Sequence, residues 1–141
     1  MTLQLMRRAG AVALLAVGAV HLQQYLDGYD VLPTIGTMFL LNAIGAGVVG
    51  VALLLPVERW FGERIAGLIA LGAVAIAVGS LIALFIAETS ILFGFSEDGY
   101  DTAVVIAIAS EVATVVLLAP VAVANLVRGV SARGGALSSA R

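Results

Sequence analysis

Four continuous apolar runs alternate along the chain with short polar segments. They cover about 5–26, 34–55, 65–87 and 102–127, each near the roughly 20 residues that a helix needs to cross a bilayer. The runs are unbroken and do not alternate in polarity, which excludes a β-barrel. Pro33 and Pro56 bracket the second run. Proline suits the first turn of a helix and stops one at its end. The pattern predicts an all-α transmembrane four-helix bundle over residues 1–128 and an unstructured tail over 129–141, where small polar residues dominate. The first run begins with Arg7 and Arg8, as a secretory leader would. It ends in His21-Leu22-Gln23-Gln24-Tyr25, with no small-x-small cleavage site, so it reads as a retained span.

Composition sharpens this picture. Of 141 residues, 62% are hydrophobic and 11% charged, and the mean hydropathy is +1.13. Soluble domains are about half apolar and a quarter charged, so a soluble globular protein is excluded, and a disordered chain with it. A net charge of −2 offers no basic field for nucleic acid. No cysteine is present, and His21 is the single histidine. Thiolate sites, HExxH zinc sites and a bis-histidine haem within one chain are therefore excluded. No cofactor motif appears.

Arginine placement predicts orientation. Arg7 and Arg8 precede the purely apolar centre of the first run, Arg59 and Arg64 lie between the second and third runs, and Arg128, Arg133 and Arg141 follow the fourth. With four spans, all fall on one side. The positive-inside bias then puts both termini in the cytoplasm of a bacterium, with the chain in its plasma membrane. The other two loops carry carboxylates and no arginine: Asp27 and Asp30, then Glu88, Glu97, Asp98 and Asp101. The outer acidic residues Asp27, Asp30, Glu97, Asp98 and Asp101 are a candidate cation site, though without EF-hand spacing. Asp27-Gly28-Tyr29-Asp30 recurs as Asp98-Gly99-Tyr100-Asp101 at an offset of 71. The repeat fits two parallel hairpins. Local chemistry explains it equally: glycine for a positive-φ turn, aspartate to cap the next helix, tyrosine at the interface.

Polar groups inside the spans are costly and so are candidate functional residues. Glu111 lies roughly 13 Å below the outer end of the fourth span at 1.5 Å per residue. A bare carboxylate at that depth has to be paired or neutralised. His21, Asn42 and Ser80 reach comparable depth on the other three spans. The simplest bundle gathers them into an intramembrane cluster of His21, Asn42, Ser80 and Glu111. Tyr25 shares the His21 face, and Thr114 the Glu111 face. The cluster reads either as interhelical glue or as a proton or ligand site open to the outside. His21 has a third reading, at the interface beside Gln23, Gln24 and Tyr25. A haem between His21 and Met38 is a remote possibility.

Ala75, Gly79, Ala83 and Ala87 form a small-residue stripe expected to mark a close helix contact. Pro120 is expected to kink the fourth span or free a carbonyl. The segment Glu58-Arg59-Trp60-Phe61-Gly62-Glu63-Arg64 suits the headgroup region. The apolar loop 88–101 is expected along the membrane surface or over the bundle's outer mouth.

The pattern HLxxY…GY…PTIG…FLLN, running through His21, Tyr25, Gly28, Tyr29, Pro33, Gly36 and Asn42, resembles small, uncharacterised four-span membrane proteins of actinobacteria. In topology alone the chain is similar to DoxX-like proteins. The resemblance implies a four-span membrane protein and carries no chemistry. Three roles follow from the residues: an accessory or interaction subunit, with lipids and a membrane-protein partner or second copy around it; a small transporter or channel component using Glu111 and His21; and, behind these, a redox or quinone-binding protein.

Overall fold

The computed structural model describes residues 2–91, 93 and 101–138. Among them are five α-helices and no strand: α1 (Leu3–Leu26), α2 (Pro33–Leu54), α3 (Val57–Phe61), α4 (Glu63–Thr89) and α5 (Thr102–Ser138). Four are long and apolar enough to cross a membrane: Leu3–Leu26, Pro33–Leu54, Glu63–Thr89 and Thr102–Ser131. Helix α5 continues to Ser138, through much of the stretch whose composition predicts an unstructured tail. Part of the reason is packing. A Cβ at Gly129 would lie 3.0 Å from the Arg64 backbone nitrogen, so the start of α4 rests directly on α5 there.

Caps and turns follow from local chemistry. The Thr2 hydroxyl accepts from the Leu5 amide at 3.3 Å and starts α1. Asp27 closes α1, and Gly28 follows at φ 124°, a conformation that costs glycine little. A single 3-10 turn, Tyr29–Val31, leads to Pro33 at the first position of α2. The Asp101 carboxylate accepts from the Val104 amide at 2.8 Å, so it caps α5 as its place in the sequence predicts. Glu97, Asp98 and the rest of the second Asp-Gly-Tyr-Asp copy lie outside the described residues, as does most of the loop 88–101.

The four long helices form a ring in the order α2, α1, α5, α4. Its seams are tight except between α2 and α4. Small residues make the tight seams. The buried residues of α4 are Ala66, Gly67, Ala70, Ala73, Ala77 and Ala87; Ala70 and Ala73 cluster with Leu14, Leu118 and Val121 of α1 and α5. Large side chains face outward: Leu41, Val48, Phe85, Val116 and Val123 are each more than 60% exposed. An apolar exterior around a small-residue core is the packing of a bundle in lipid. Pro120 lies on that exterior, and α5 continues through it.

One end of the ring collects the arginines. Arg7 of α1 pairs with Glu58 of α3, and Arg64 rests against Gly129. Trp60 and Phe61 project from the same end, 58% and 66% exposed, as headgroup anchors would. The Arg7 side chain is only 9% exposed, whereas Glu58 is 31% exposed. Removing Glu58 alone therefore strands a nearly buried guanidinium. Glu58→Ala should cost about 1–3 kcal/mol, below the roughly 3–5 of a fully buried pair. Arg7→Met combined with Glu58→Ala should recover most of that loss. Denaturant unfolding of the four-member mutant cycle reads the coupling, and additive losses would show that the pair contributes nothing.

Candidate functional site

At the end opposite the arginines, α2 and α4 part, and a groove of about 450 Å³ opens between them. Its lining includes His21 of α1, Asn42 of α2, Ser80 of α4 and Glu111 of α5, one polar group from each long helix. Its walls are apolar, with Met38, Phe39, Ile76 and Leu84 among them. Two turns towards the arginine end the ring closes. Leu14, Ala73 and Leu118 stand seven residues from His21, Ser80 and Glu111, and each is fully buried together with Ala46. The groove is thus a blind recess. Its rim is open towards the sides of α2 and α4, where Leu41 is 63% exposed.

The polar groups form a connected set. His21 is 6% exposed and Glu111 1%. The His21 Nδ1 lies 2.9 Å from the Val17 carbonyl oxygen. An oxygen acceptor there requires Nδ1 to carry the proton. In the neutral ring Nε2 is then an acceptor, and the Ser80 hydroxyl donates to it across 3.0 Å. The same hydroxyl lies beside the Glu111 carboxyl. The direct His21 Nε2 to Glu111 Oε1 separation is 3.9 Å, too long for a hydrogen bond.

A hydroxyl has one proton to donate. With His21 neutral, Ser80 donates to it and accepts from a protonated Glu111. With His21 charged, Nε2 donates to Ser80, and Ser80 donates to the carboxylate. Both arrangements hold the same number of protons. Two acceptors remain unmet. Glu111 Oε2 and Asn42 Oδ1 are buried without a hydrogen-bond partner, and both residues line the groove.

The sequence-predicted cluster is thus partly assembled. His21 and Ser80 are hydrogen-bonded with Glu111 beside them, and Asn42 lines the same recess without a bond to them. Thr114 is fully buried but donates to the Ser110 carbonyl at 2.8 Å, so its hydroxyl is engaged on its own helix. Tyr25 is half-buried and is not among the lining residues; Gln24 takes that place. Both imidazole nitrogens of His21 are hydrogen-bonded, so neither is free to ligate a haem beside Met38. Among the described residues no three acidic or histidine side chains gather into a metal site. Asp27 instead accepts from Gln23 at 3.3 Å, and Asp101 is spent on its cap.

Two features were not legible beforehand. The stripe Ala75, Gly79, Ala83 and Ala87 lines the groove, and a Cβ at Gly79 would meet nothing within 4 Å. The close helix contact is made instead by the alanine row one face away. Phe39 also lines the groove. Its ring meets His21 edge-on at 5.3 Å and Tyr29 at 4.8 Å, which ties the first turn to the site. Its place in the FLLN segment, one helical turn from Asn42, was the available signal. No family model matches the chain, and no curated protein or solved structure matches it.

Proposed function

We propose that the chain is a multi-pass protein of a bacterial plasma membrane, with both termini cytoplasmic, and that it binds a small amphiphilic molecule in the groove between α2 and α4. The arginine bias supports the orientation. The observation that carries the binding reading is Glu111: 1% exposed, with one oxygen unpartnered, lining an apolar recess. Interhelical glue satisfies its own polar groups, whereas a ligand site keeps some unmet until occupied. The recess falls within the roughly 300–1,000 Å³ of small-molecule pockets. Its side opening gives access from the bilayer. The closed layer at Leu14, Ala73 and Leu118 fits a binding or carrier component better than a standing pore.

Gly79 supplies the test, because it lines the groove and a side chain there meets open space. Gly79→Phe should fill the recess without disturbing a packed seam. A native mass spectrum of the gently extracted protein should show a small adduct at one per chain, and the variant should lose at least nine-tenths of it. An adduct unaffected by Gly79→Phe would sink the groove reading. A second protein at fixed stoichiometry, with no adduct, would favour the accessory-subunit reading instead.

A further inference from the structure

We infer that the groove selects a lipophilic ammonium: an apolar body carrying one protonated amine, with the amine held at Glu111. The inference rests on the groove being a ligand site and names the class of ligand it takes. The two unmet atoms of the recess, Glu111 Oε2 and Asn42 Oδ1, are both acceptors. A ligand that satisfies them must bring donors, and a primary ammonium brings three.

Charge selects in the same direction. Among the described residues Glu111 is the one acidic side chain lining the recess, and no arginine lines it. An anionic head would be repelled there, and the low-dielectric walls amplify that repulsion. A cation meets the carboxylate. His21 does not oppose it: with the ring neutral, Nδ1–H on the Val17 carbonyl and Nε2 accepting from Ser80, the ammonium replaces the Glu111 proton, which leaves to solvent, as the donor to the carboxylate.

The end of the bundle around the recess is acidic too. Asp27 and Asp30 follow α1, Glu88 lies in the last turn of α4, and Asp101 caps α5. The described arginines lie at the far end or in the segments leading from it. Such a charge distribution concentrates cations at the recess. Along α4 the groove wall runs from Ala75 to Ala87, about 18 Å at 1.5 Å per residue, which accommodates a medium-length alkyl chain or a compact ring body.

Titration calorimetry of the full chain in phosphatidylcholine nanodiscs tests the inference, with empty nanodiscs as the blank. Octylammonium and 1-octanol share an apolar body and differ in the head. Octylammonium should saturate at one per chain and bind at least tenfold more tightly than octanol. Glu111→Gln should reduce its affinity to that of octanol. Equal affinity for the two heads in the unaltered chain would overturn the inference without recourse to any variant. So would a preference for the amine that survives Glu111→Gln. Two failures are distinguishable. If both molecules bind equally and Gly79→Phe abolishes both, the groove binds ligands but does not select an ammonium. If neither saturates and Gly79→Phe leaves the native adduct in place, the ligand site itself is wrong.

Discussion

Glu111→Met should stabilise the bundle while emptying the groove. The side chain is fully buried among helices, and one of its oxygens has no partner. An ionisable group in that position costs stability, because its desolvation is only partly offset. Methionine has a similar length and fills irregular space without a charge. The substitution strands nothing else. Ser80 keeps His21 as its acceptor, and His21 keeps the Val17 carbonyl. Replacing buried ionic groups by apolar ones of similar volume can stabilise by about 1–4 kcal/mol, and a gain at the lower end is expected for this single residue. Thermal unfolding followed by circular dichroism in one detergent should show a raised midpoint, and the native adduct should disappear. A lowered midpoint would mean that Glu111 holds the helices together, which is the glue reading. Stability gained with function lost is the usual mark of a site kept for chemistry at a cost to the fold.

Gly36→Ala should be the most damaging single methyl addition in the first hairpin. A Cβ on Gly36 would run into the Tyr29 carbonyl oxygen and come within 3.1 Å of the Asp30 Cα. Both obstacles are backbone, so no side chain can rotate away. The 3-10 turn would have to lift off α2. It would strain the bonds from the Leu32 amide to the Tyr29 carbonyl, 3.1 Å, and from the Gly36 amide to the Leu32 carbonyl, 2.7 Å. The Tyr29–Phe39 edge contact would shift as well, and Phe39 also meets His21. Overpacking of this kind costs about 1–3 kcal/mol. Gly47→Ala is the control, since a Cβ there meets nothing within 4 Å. It should be neutral or stabilising by up to about 1 kcal/mol through helix propensity. Unfolding midpoints and amide exchange over residues 28–36 read both variants. Equal behaviour of the two would show that the turn does not rest on Gly36.

The physics of these two sites differs in how far the sequence discloses it. Helix number and rough extent were written in the chain, because in lipid every backbone group must be satisfied within its own helix. An apolar run of sufficient length then has one available structure. The bracketing prolines, the Gly28 turn and the Asp101 cap follow from local stereochemistry, and they are found where the sequence predicts them. A polar residue at matching depth on each of four spans was likewise enough to nominate His21, Asn42, Ser80 and Glu111.

Tertiary structure decided the rest. Periodicity cannot say which face of an apolar helix meets its neighbours, because every face of α4 is apolar or small. The Ala66, Ala70, Ala73 and Ala77 row and the Ala75, Gly79, Ala83 and Ala87 stripe look alike in sequence, yet one packs a seam and the other lines a cavity. The order of helices around the ring sets that choice, and with it the parting of α2 from α4. Hydrogen bonds were equally beyond the sequence. Thr114 and Ser80 are both hydroxyls beside Glu111 in depth. Thr114 turns to its own backbone, whereas Ser80, on a facing helix, donates to His21 beside Glu111. Depth is set by position along one chain segment, but partnership is set by rotation about the helix axis, and only packing against the other helices fixes that rotation.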